Sequence, residues 1–83
     1  MNDFVTDIQV APALWASSLF PEGILEKWLR PDGAAVKAGD ALATIRIEDA
    51  LHELLSPASG RLRTDIAEGS VIDPGMPVGR ITH

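Results

Sequence analysis

The chain has 83 residues, 46% apolar and 23% charged, and its 12 acidic residues outnumber seven basic ones for a net charge of −5. That length allows one small domain over residues 1–83, and the absence of cysteine excludes disulfides, thiolate nucleophiles and Cys-ligated zinc. The acidic balance argues against nucleic acid and anionic membranes as partners, and no apolar run approaches the roughly 18 residues of a membrane span. The start Met1-Asn2-Asp3-Phe4 lacks the basic and apolar stretches of a targeting signal, so a cytoplasmic location is expected.

In chain order, the first extended segment is predicted near residues 4–10. A stretch bounded by Pro12 and Pro21 follows, in which 13–20 could hold at most one or two helical turns, and no regular helix is expected. Further strands are predicted at 23–29, 41–47, 50–56, 60–66 and 77–82, with short extended pieces at 35–36 and 71–72. Turn signals separate them at Asp32-Gly33, Gly39, Glu68-Gly69 and Gly75.

These segments repeat. Gly23 to Leu29 leads to Gly33, Gly39, Leu42 and Ile45, and Gly60 to Ile66 leads to Gly69, Gly75, Val78 and Ile81. Val36 and Val71 stand in the short pieces between the glycines of each copy. Neither copy could bury its apolar face alone, so two copies of one unit packed about a pseudo-two-fold axis are expected. The spacing makes Ile47-Glu48-Asp49-Ala50 the tight turn between the halves.

The run Glu22-Gly23-Ile24-Leu25-Glu26-Lys27-Trp28-Leu29, then Asp32-Gly33-Ala34-Ala35-Val36-Lys37-Ala38-Gly39-Asp40-Ala41-Leu42, resembles the lipoyl domains of the acyltransferase components of 2-oxo acid dehydrogenase complexes. The similarity continues through Ser56-Pro57-Ala58-Ser59-Gly60 and the second glycine pair. The resemblance implies an all-β fold: a flattened β-barrel or sandwich of two four-stranded antiparallel sheets with internal pseudo-two-fold symmetry. It also implies a modified lysine at the tip of the hairpin between the halves, and counting from Gly39 and from Pro57 places that position at Asp49.

Glu48 before and Ala50 after this position match the lipoyl flank rather than the methionines that flank the lysine of the similar biotin-carrier domains. A lipoyl group is therefore expected for the family but no cofactor for this chain, because attachment needs a primary amine and Asp49 supplies a carboxylate. Lys27 lies in a strand segment and Lys37 in a glycine turn, so neither replaces it. The acidic pair Glu48-Asp49 reads either as a contact for a basic partner or as two solvated turn residues.

The connection from Pro12 to Gly23 is longer than is usual in the family and holds Trp15, Leu19 and Phe20. In lipoyl domains this loop lies beside the hairpin tip and takes part in recognition by the decarboxylase component, so the resemblance implies a protein partner of that kind. Trp15, Leu19 and Phe20 could act as interface anchors, or fold over the end of the barrel as a satellite of its core.

No catalytic or metal-ligating set stands out. His52 beside Glu53 is expected to be a strand residue packed on the barrel, and His83 to be frayed. The readings carried forward are a stand-alone lipoyl-like domain without its lysine, acting as a non-carrier docking or accessory module; a carrier with unconventional attachment; and a structural module for an unrelated partner.

Overall fold

The structure is a computed structural model in which residues 4–16, 19 and 21–83 are described. Its strands are β1 (Val5–Ile8), β2 (Gly23–Trp28), β3 (Ala35–Val36), β4 (Ala41–Ile47), β5 (Ala50–Leu55), β6 (Gly60–Thr64), β7 (Val71–Ile72) and β8 (Gly79–Thr82), and one helix, α1 (Pro12–Ala16), stands between β1 and β2. The strands form two four-stranded antiparallel sheets, ordered β1-β8-β6-β3 and β5-β4-β2-β7. The fold is thus all-β, a flattened sandwich whose sheets are not closed into a continuous barrel.

The two orders express the repeat. Advancing each strand of the first sheet by four places turns β1, β8, β6, β3 into β5, β4, β2, β7, which is the second sheet. The register obeys the same operation: Val36 faces Gly60 where β3 meets β6, and Ile72 faces Gly23 where β7 meets β2. Equivalent positions also do equivalent work, since Leu25 and Leu62, Leu42 and Val78, and Ile45 and Ile81 are all buried. Together with Ile8, Val36, Leu54 and Ile72 they form one apolar layer between the sheets. Burial of such side chains at about 1.5–3 kcal/mol each is the main force holding an acidic, disulfide-free domain of this size together.

Strict alternation fails at two places, each a β-bulge. In β4 the register with β5 shifts between Ala41 and Ala43, and the consecutive residues Leu42 and Ala43 are both buried. In β2 it shifts between Leu25 and Lys27, leaving Glu26 and Lys27 both outward and Glu26 2.8 Å from Arg46 on the neighbouring strand. An extra residue in one strand turns successive side chains toward the same face.

The helix is a single turn, within the one or two turns that residues 13–20 could hold, but it begins at Pro12 rather than after it. Pro12 is its first residue, where a missing N–H costs nothing and a fixed φ assists the turn, so the proline that reads as a breaker here begins the element. His83 also differs from expectation. Its N–H donates to the Phe4 carbonyl at 2.9 Å, its carbonyl accepts from the Phe4 N–H at 2.8 Å, and its Nε2 lies 2.9 Å from Thr6 Oγ1. Those bonds extend the β1–β8 ladder rather than leaving His83 frayed. Among the described residues, no helix is long and apolar enough to cross a membrane.

Candidate site at the inter-half hairpin

The β4–β5 ladder runs to the pair Ile47 and Ala50, leaving Glu48 and Asp49 as a two-residue loop. Glu48 has φ +56°, the one positive φ among the described non-glycine residues. A two-residue hairpin needs such a backbone to match the twist of its strands, and a side chain there is tolerated at a cost of about 1 kcal/mol. Both residues are exposed. The Asp49 carboxylate has no hydrogen-bond or ion-pair partner among the described residues, whereas Glu48 Oε1 accepts the Leu19 N–H at 2.9 Å. The connection after α1 is therefore tied to the hairpin tip, and Glu48 is more than a solvated turn residue.

Trp15 approaches the same end from inside. It is 8% exposed and belongs to the core, so it is not presented as a surface anchor and takes the satellite-core role instead. Its indole packs where Gly23 opens space: a Cβ on Gly23 would lie 3.2 Å from Trp15 Cη2 and 3.3 Å from Ile47 Cγ1. Because Gly23 is paired with Ile47, the last residue before the tip, the indole buttresses the base of the hairpin. Among the described residues, its Nε1 is buried without a hydrogen-bond partner.

Leu19, in contrast, is 86% exposed. The structure thus brings Leu19, Glu48 and Asp49 together at the surface and places Trp15 beneath them. Phe20 lies outside the described residues. His52 is half-buried and in register with the buried Ile45, a strand residue at the edge of its sheet. Among the described residues there is no group of three or more His, Asp or Glu arranged to hold a metal ion.

One surface feature escaped the sequence reading. Leu51, Arg46, Ile24 and Val71 are successive partners across β5, β4, β2 and β7, so their side chains form a row on the outer face of this sheet. Leu51 is 60% exposed, and Ile24 and Val71 are also exposed. The signal was available: Leu51 alternates with His52 in a strand whose inward position is set by Leu54. No protein-family model matches the chain, and no curated protein matches it.

Proposed function

We propose that the chain is a lipoyl-like domain that does not carry a prosthetic group and serves, in the cytoplasm, as a docking or accessory module of a 2-oxo acid dehydrogenase-like assembly. The observation that carries this reading is the carboxylate of Asp49 at the exposed tip of the hairpin joining two equivalent half-domains. That is the one place where the resemblance calls for an amine. Amide formation requires a nucleophilic nitrogen, and a carboxylate has none to offer.

What remains of the carrier end is a surface suited to contact. Leu19 and Leu51 supply exposed apolar area beside the tip, and Glu48 and Asp49 supply negative charge that would favour a basic partner and accelerate encounter at low salt. The intact mass of the protein isolated from its own cells tests the first half of the reading, the expected result being the mass of the unmodified chain. Asp49→Lys tests the kinship. The variant should fold within about 0.5 kcal/mol of the parent, since the position is exposed, and should become a substrate for a lipoate-attaching enzyme. A lipoyl increment on native Lys27 or Lys37 would overturn the non-carrier reading, and a folded Asp49→Lys protein that is never modified would overturn the kinship.

A further inference from the structure

Three of the chain's five arginines stand on the outer face of the β1-β8-β6-β3 sheet, although the protein as a whole is acidic. The register places Asp7, Arg80 and Arg63 in one outward row and Val5, Thr82, Arg61 and Ala35 in the next. Arg63 and Arg80 are therefore directly opposite each other on neighbouring strands, an arrangement of like charges that disfavours the sheet. Arg80 is relieved by Asp65, whose Oδ1 is 3.3 Å from its Nη2. The Arg63 guanidinium has no hydrogen-bond or ion-pair partner among the described residues, and Arg61 uses Nη1 on the Gly33 carbonyl at 3.1 Å. Both guanidinium groups line an open concavity of about 450 Å³ together with Val5, Thr82 and His83.

Among the described residues, the acidic neighbours do not neutralise this pair. Asp7 lies on β1 beyond Arg80, Asp65 is committed to Arg80, and Asp32 Oδ1 accepts the Thr64 N–H at 2.9 Å. Arg61 and Arg63 stand two residues apart on one strand, so their stems are spaced by about 6.7 Å, the same repeat with which any extended chain presents side chains on one face. Planar guanidinium groups at that spacing match carboxylates on alternate residues of a strand, each pair being able to form two parallel hydrogen bonds. The exposed Val5 on β1 offers apolar contact in the same concavity. A long polyanion fits less well, because the net charge of −5 repels it outside this face.

We infer that the outer face of the β1-β8-β6-β3 sheet is a docking surface for an extended acidic segment of a protein partner, with Arg61 and Arg63 as the carboxylate-binding residues. This surface is built from different residues than the hairpin end, and it stands whether or not the chain is lipoyl-like. The test uses the full chain and a fluorescein-labelled peptide with glutamates at alternate positions, Val-Glu-Val-Glu-Val-Glu, followed by fluorescence anisotropy. Controls are the same peptide with glutamine for glutamate and a labelled thymidine 12-mer.

The expected result is saturable binding of the glutamate peptide that weakens at least tenfold in Arg61→Gln/Arg63→Gln and at least threefold in Arg63→Lys, which keeps charge but loses the planar fork. Lys27→Gln/Lys37→Gln should bind like the parent. In the parent protein, titration with the glutamate peptide should shift the arginine Nε–Hε resonances of Arg61 and Arg63, a readout independent of whether the variants fold. The inference is overturned if the glutamine peptide binds equally well, if the 12-mer binds more tightly than the glutamate peptide, if the Lys27/Lys37 variant loses binding to the same extent, or if the two arginine resonances stay still at saturation.

Discussion

Truncating Trp15 to alanine separates a core role from a docking role at the hairpin end. The indole is 8% exposed and is in contact with the base of the β2–β4 pair, so its removal leaves a cavity beside Gly23 and Ile47. Truncating a buried aromatic to alanine costs about 3–5 kcal/mol, and the low end applies here because α1 has only five residues and can settle inward. The unpartnered Nε1–H pulls the same way, since deleting a buried donor that bonds to nothing recovers part of its desolvation penalty. A loss of about 3 kcal/mol, set against an unfolding entropy of about 2.1 cal/mol/K per residue over 83 residues, lowers the Tm by about 17 °C. Trp15→Phe keeps most of the apolar contact and removes the orphan N–H, so it should stay within about 1 kcal/mol of the parent. Urea unfolding followed by the fluorescence of Trp28, with circular dichroism as a second probe, measures both. An alanine variant that unfolds at the parental midpoint would refute the core assignment and return Trp15 to the surface as an anchor.

Three other positions give sharper tests of the backbone. Glu48→Ala removes the carboxylate that accepts the Leu19 N–H while keeping a side chain at positive φ, whereas Glu48→Gly removes both the carboxylate and the strain; the glycine variant should be the more stable of the two by about 1 kcal/mol in urea unfolding. Gly60→Ala should prevent folding at ordinary temperature, because a Cβ there would overlap the Thr82 carbonyl oxygen and lie 2.8 Å from Ile81 Cγ2. Gly69→Ala, at φ +87° with open space around it, should cost only the conformational strain of about 1 kcal/mol and leave a folded protein by circular dichroism.

The strands were legible because the glycines and the buried residues recur in the same order in both halves. Leu42 with Ile45 and Val78 with Ile81 announced equivalent inward positions, and the structure buries all four. The predicted ends ran long at β1, β6 and β8, where the pairing runs out: the Asp65 N–H donates to the Val78 carbonyl at 3.1 Å as the last bond in the β6–β8 register, and the Val78 N–H turns to the Ile8 carbonyl at 2.8 Å. The start of the helix was misplaced because a proline carries opposite meanings at the first position of a helix and within one, and only the structure tells which applies. For Trp15, sequence gives apolar content without direction; the indole turns inward from α1 because Gly23 on β2 leaves room for it. The bond from Leu19 to Glu48 joins residues 29 positions apart and left no local mark in either segment. The arginine pair on β6 and β8 was hidden for the same reason, since like charges become neighbours only once the register is fixed.

The pseudo-two-fold relation makes the hairpin tip and the Phe4–His83 pair counterparts in space but opposites in the order of events during folding. The β4–β5 ladder closes over a two-residue loop, on a timescale of about 1–10 μs for an isolated hairpin, whereas the equivalent β1–β8 ladder joins residues separated by nearly the whole described chain. Loop closure entropy must be offset by contacts already made, so the first sheet is completed only after the second has a surface to pack against. Substitutions that weaken the β4–β5 ladder should therefore slow refolding, while those in β1 and β8 should act mainly by accelerating unfolding. Two sheets built to one plan thus divide the kinetic roles between them, one as nucleus and the other as latch.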